Sequence, residues 1–140
     1  MEHEILFRAK AINRNAESFR TNYKNGDWVY GLVTRLYDER FENLPAEMTN
    51  TSGVSCIEVD YKTVGRFTDL TDRNGVKIFE GDILEALNGN RGYVVFRNGA
   101  FMKSCNSENM PFLIVADVNA VIGNIHDNPE MLKGEDLKNG

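Results

Sequence analysis

Apolar residues recur at every second position in several short stretches of this chain, and a period of two predicts strands rather than helices. From Glu4 to Ala9, apolar Ile5, Phe7 and Ala9 alternate with Leu6, Arg8 and Lys10, which predicts an early strand with one wetter face. Trp28 to Leu36, reading WVYGLVTRL, is aromatic and β-branched and predicts a second strand. The polar, Asn-rich segment between them, INRNAESFRTNYKNGD, reads as a loop or loose strand. Its closing Asn25-Gly26-Asp27 carries hairpin-turn chemistry. Tyr37 to Val54 contains Pro45 and a cluster of Ser, Thr, Asn and Gly, and reads as a polar excursion. Ser55 to Tyr61, with Cys56, Ile57, Val59 and Tyr61, is expected to add a third strand to an antiparallel sheet. Asp60 to Thr63 is the alternative start of a short helical turn.

Turn chemistry, apolar periodicity and charge are densest from Val64 to Leu84, VGRFTDLTDRNGVKIFEGDIL. In Asp72-Arg73-Asn74-Gly75 the aspartate can accept backbone N–H bonds while Asn74 and Gly75 tolerate positive φ, so a tight reversal is expected. Val76, Ile78 and Ile83 are expected to face the core, and Lys77 and Glu80 the water. Glu80-Gly81-Asp82 suits the start of a strand, Gly81 allowing a bend and Asp82 tying down the local backbone. Asp82 to Leu87, Tyr93 to Phe96 and Ala100 to Met102 then read as a meander, joined by turns at 88–92 and at Arg97-Asn98-Gly99. Ser104 to Pro111 reads as a polar loop, Phe112 to Val115 as an apolar run, and Ala120 to Ile125 as a last strand. In HDNPEML, Asn128 at an N-cap and Pro129 at the first helical position predict a short C-terminal helix. The charged end, KGEDLKNG, is expected to fray. Closely spaced short strands suggest a small barrel, since closure removes exposed edges.

A chain of 140 residues, 41% hydrophobic and 26% charged, can bury a core and fold without a cofactor. Its formal charge of −5 works against nucleic-acid binding, which relies on Lys and Arg displacing counterions. Cys56 and Cys105 are the only thiols and are expected to be buried and reduced. The charged, alternating N-terminus lacks the apolar run of a leader, and no segment suits a membrane span, so a cytoplasmic location is expected.

Three chemical readings compete with structural ones. Asp69, Asp72, Glu80 and Asp82 could supply a carboxylate pair or oxygen ligands for a metal-dependent hydrolase, but turn and strand-start roles account for Asp72 and Asp82. A zinc site would need His3, His126, Cys56 and Cys105 to converge. No nucleophile elbow or P-loop occurs, so no catalytic residue is assigned. Arg66-Phe67, Arg91-Gly92-Tyr93 and Phe96-Arg97 pair cations with aromatics as a single-strand nucleic-acid platform would. The competing reading places Phe67, Tyr93 and Phe96 in the core.

The run TDLTDRNGVKIFEGDIL resembles the signature of the YopX family, small proteins of phages and prophages. EILFRAKA resembles that family's N-terminal block, and VIGNIHDNPEML its C-terminal one; the three stand in the family's order across nearly the whole chain. Asp69 departs from the pattern, standing where the family has glycine, which bears on any backbone conformation there that glycine alone adopts freely. The resemblance implies a small all-β or α+β protein, oligomeric, without established biochemical activity, and carries over no catalytic residue.

The combined expectation is a mainly β, β-rich α+β chain. An N-terminal antiparallel sheet over 1–63, serving oligomerisation, precedes a small SH3-like barrel with a short C-terminal helix over 64–140. The expected role is that of a non-enzymatic phage or prophage accessory protein, a homo-oligomer that contacts an unidentified host or phage protein. The candidate interaction surface is Arg66, Phe67, Asp69, Arg91, Tyr93 and Arg97.

Overall fold

A computed structural model describes residues 4–13, 23–36, 46–105, 112–114 and 116–132. Several expectations fall outside them: the ligand role of His3, the loop at 14–22, residues 37–45, the loop at 106–111 and the fraying end at 133–140. The chain divides into two compact units, Met1–Arg66 and Phe67–Gly140. The class is mainly β, as expected.

In the first unit, β1 (Phe7–Lys10), β2 (Trp28–Arg35), β3 (Ala46–Asn50) and β4 (Ile57–Val59) pair antiparallel in chain order. The pairing does not stop at β4. Ala11 bridges Val59, the Ile12 amide donates to the Glu58 carbonyl at 2.9 Å, and the Asp60 amide donates to the Lys10 carbonyl at 2.9 Å. The four strands therefore form a closed circuit of backbone pairing, and β4 is no free edge. Ala9, Ala11, Val29, Ala46, Met48, Ile57 and Val59 fill its interior. Asp60 caps a 3-10 helical turn at Tyr61–Thr63 through the Lys62 amide, the helical alternative considered for this segment. Thr63 accepts the Lys10 amide through Oγ1 at 2.8 Å.

Two expectations need correction here. The polar excursion contains β3, whose Ala46 and Met48 point inward while Glu47 and Thr49 alternate outward. Asn25-Gly26 turns into β2 as expected, the Gly26 amide donating to the Ala11 carbonyl at 2.8 Å where the antiparallel β1–β2 pairing ends. Cys56 is exposed and takes φ +61° just before β4.

Strand β5 (Gly65–Thr71) starts in the first unit, where Gly65 and Arg66 pair with β1, and continues into the second, where it pairs with β6 (Lys77–Phe79). Between Phe67↔Phe79 and Thr71↔Lys77 the register shifts, leaving extra residues in β5. Asp69 sits in this bulge at φ +67°, and Thr68 Oγ1 steadies it by donating to the Ile78 carbonyl and accepting the Leu70 amide. The left-handed conformation suited to glycine is thus retained with aspartate in place. Asp69→Gly is expected to raise stability by about 0.5–1 kcal/mol, and Asp69→Val to lower it by about 1–2 kcal/mol, because β-branching makes positive φ costly. Urea denaturation of both variants measures this.

The second unit's main sheet is antiparallel, in the order β10 (Phe112–Leu113), β9 (Ala100–Ser104), β8 (Arg91–Arg97), β7 (Asp82–Ala86), β11 (Asn119–Asn124). Among the described residues no ladder closes this sheet into a barrel. Its core is Ile78, Leu84 and Val94, with Leu70, Phe101, Ile114, Ala116 and Val121 packed around them. Asn98 at φ +53° and Gly99 at φ +80° make the two-residue β8–β9 turn. Val76, expected inside, is 47% exposed because it belongs to the turn before β6. The C-terminal helix is a single 3-10 helical turn, Pro129–Met131, and the Asn128 side chain does not cap it. Asn128 Oδ1 instead accepts the Asn124 amide at 3.3 Å.

Candidate functional site

The residues singled out by cation and aromatic spacing do not form one platform. Arg66 is exposed in the part of β5 that belongs to the first unit. Phe67 is buried, its ring 5.5 Å from that of Phe79 with the Lys77 ammonium 5.3 Å above it. Asp69 is exposed in the bulge. Arg91, Tyr93 and Arg97 alternate along one face of β8, opposite the face of Val94. Arg91 is engaged: Nε meets Glu85 Oε2 at 2.7 Å, and an η nitrogen donates to the Met131 carbonyl at 3.1 Å. It ties β7 to the C-terminal turn. Tyr93 is half-buried opposite Ile83 and Ser104, and Arg97 is exposed beside the β8–β9 turn. Phe96 is exposed and packs against Phe101 at 5.0 Å.

The acidic set is likewise dispersed into backbone roles. Asp72 Oδ1 accepts the Asn74 and Val76 amides at 2.8 and 2.9 Å, and Oδ2 accepts the Val121 amide at 2.8 Å. Burial alone would push this carboxyl up. The N–H groups of Val121, Val76 and Asn74, with the charge of Arg73, outweigh that and hold it below its ordinary value. Asp82 Oδ2 accepts the Phe79 amide at 2.7 Å beside Gly81 at φ +90°, the strand-start role expected of this pair. Among the described residues no group of three or more His, Cys, Asp and Glu is arranged to hold a metal ion, and His126 lies beside Gly81.

An outward face that spacing did not single out is more coherent. Along β2, Val29 and Gly31 point into the closed circuit, so Trp28, Tyr30 and Leu32 point out. Tyr30 is 40% and Leu32 50% exposed. Arg8 and Lys10 of β1 lie opposite Tyr30 and Trp28, and their cationic groups sit 4.6 and 5.6 Å from the Trp28 ring. Past Leu32, Arg35 pairs with Glu47 at 2.9 Å, and Glu47 lies opposite Glu58, whose carbonyl accepts the Ile12 amide. Arg8 is itself buried, so Lys10 is the cation that borders the Trp28 end of the apolar row, and the Arg35–Glu47 pair borders its other end. The row's alternation is visible in WVYGL, but only the closure of the four strands decides which side faces out.

Among the described residues no helix is long and apolar enough to cross a membrane. No curated protein matches the chain. A crystal structure of protein EF1440 from Enterococcus faecalis is similar, with 25% identity over 94% of this chain and 100% of that one, at a TM-score of 0.56. A family model described as YopX protein matches residues 8–133, the span that holds all but the first residues of the N-terminal block, the Asp72 turn and the Gly123-Asn124 bend. The chain belongs to the YopX family.

Proposed function

We propose that this protein is a non-enzymatic phage or prophage accessory protein of the bacterial cytoplasm that works through protein contacts, self-association first among them. The observation that carries the reading is the outward row of β2, Trp28, Tyr30 and Leu32, an apolar strip on a face whose neighbours are packed and paired. The occupant is a second copy. A two-fold axis across β2 would lay the Trp28, Tyr30 and Leu32 strip of one copy on that of the other, burying the exposed apolar side chains of both. Strand addition at β4 is not the route, because β1 already occupies that edge. The phage or prophage setting rests on the family, and a host or phage protein is the further partner of the assembly.

Light scattering across a concentration series tests the first claim: a mass above the monomer that rises with concentration is expected, and a strict monomer at high concentration overturns it. The alternative is nucleic-acid binding. Burial of Phe67 and engagement of Arg91 weaken it, and a titration with single-stranded DNA and RNA at low salt is expected to show no salt-dependent binding.

A further inference from the structure

We propose that Lys103 and Cys105 form a reversible covalent cross-link, an S–N bond made when a peroxide oxidises the buried thiol. The two residues stand two apart at the end of β9, and both are buried in the second unit. Strand alternation puts them on one face. Two neighbours bring them together. The space that a Gly92 Cβ would occupy is bordered by Lys103 Cγ at 2.9 Å and by Cys105 Sγ at 3.0 Å. Asn90 touches both groups, its carbonyl accepting from Lys103 Nζ at 3.0 Å and its Nδ2 lying 3.8 Å from Cys105 Sγ. With no side chain at Gly92, thiol and lysine chain share one pocket.

The amine is placed to act as a nucleophile. Lys103 Nζ donates to the Asn90 carbonyl and, at 2.8 Å, to Asn119 Oδ1. Two acceptors satisfy the two hydrogens of a neutral amine and leave its lone pair available. Burial pushes the Lys103 amine below its ordinary value, while the charges of Cys105 and Glu85 work against that. The thiolate is the form of the sulfur that attacks peroxide. The sulfur takes one peroxide oxygen and becomes a sulfenic acid, the other oxygen leaving as water; sulfur loses two electrons and peroxide gains them. The sulfenic acid is neutral, so Glu85 is then the charge left opposing the effect of burial, which favours release of the amine's proton. The amine nitrogen then attacks sulfur, the S–N bond forms, the S–O bond breaks, and hydroxide leaves with a proton from nitrogen as water. A thiol reductant restores both side chains.

The test is hydrogen peroxide treatment of the folded Cys56→Ser protein, which excludes a disulfide between the two cysteines, followed by intact-mass and peptide mapping. The expected product has lost the mass of two hydrogens, resists trypsin after Lys103, and reverts with dithiothreitol. In the Cys56→Ser background, Lys103→Arg keeps the charge but should give only stepwise addition of oxygen at Cys105. The proposal is overturned by oxygen addition at Cys105 beside a free Lys103 amine in the Cys56→Ser protein. It is also overturned if Cys105 stays intact at doses that oxidise Cys56 in the wild type, or if Lys103→Arg still loses two hydrogens. If the arginine variant does not fold, the peptide map of the Cys56→Ser protein decides alone.

Discussion

Asp72→Ala is expected to destabilise the second unit by about 3–4 kcal/mol, measured by urea unfolding, because one carboxylate serves three backbone donors. Each charge-assisted bond contributes about 1.5–3 kcal/mol, and the sum is discounted because Asn74 and Val76 lie in a turn that water can reach. The Val121 amide is different. It lies on β11, where the Arg73 amide also donates to the Asn119 carbonyl at 3.0 Å, so the turn after β5 covers the outer side of an edge strand. Removing Asp72 uncovers that edge. Asp72→Asn retains an acceptor for the turn but sets an N–H group against the Val121 amide, and is expected to cost about 2–3 kcal/mol. The folded carboxyl titrates below its unfolded value. Its stabilisation is therefore complete above an unfolded pKa of about 3.9 and is lost as pH falls through the lower folded value. Wild-type stability should decline in that acid window, and Asp72→Asn should lack this part of the decline.

Gly31→Ala is expected to cost about 3 kcal/mol or more, or to prevent the first unit from folding, measured by thermal unfolding. A Cβ on Gly31 would collide with the Thr49 carbonyl oxygen and crowd Asn50 Cα at 2.8 Å. Both obstacles are backbone atoms of β3, whose register with β2 runs through Gly31↔Asn50 and Leu32↔Thr49, so no rotamer change relieves them. The closed circuit makes the damage non-local: moving β3 also moves β4, and with it the bridge to Ala11. Gly26→Ala is the control. Gly26 has open space around its missing Cβ but takes φ +91°, so alanine there should cost only about 1 kcal/mol through backbone strain.

What was legible in the sequence was governed by chemistry within a few residues. The Asp72 turn, the Gly81-Asp82 strand start and the Asn98-Gly99 hairpin each depend on positive φ or on a carboxylate reaching nearby amides, and each lies where its residues suggest. Strand β3 was hidden because Ala, Glu and Asn disfavour strands locally. It forms because Ala46 and Met48 complete an interior built by β1, β2 and β4. Long-range pairing was hidden for the same reason. The position of β11 beside β7 and the closure of β4 onto Ala11 join residues far apart in sequence, and no local pattern encodes them. Lys103 was invisible because lysine ordinarily reads as a solvated position; only the oxygens of Asn90 and Asn119 make its burial tolerable. Arg91 and Phe67, conspicuous by spacing, serve instead as a clamp and a core ring.

The self-association reading is tested most directly by sedimentation equilibrium of wild type, Leu32→Glu and Leu87→Glu. Leu32 lies on the outward row of β2 and is 50% exposed, whereas Leu87, 71% exposed, lies in the second unit. Both substitutions put a carboxylate on an exposed leucine, so they share any general effect of added charge. An oligomeric wild type, an equal mass for Leu87→Glu and a monomer for Leu32→Glu, with thermal unfolding preserved, is the predicted result. A monomeric wild type, or a Leu32→Glu protein as heavy as the wild type, would contradict it.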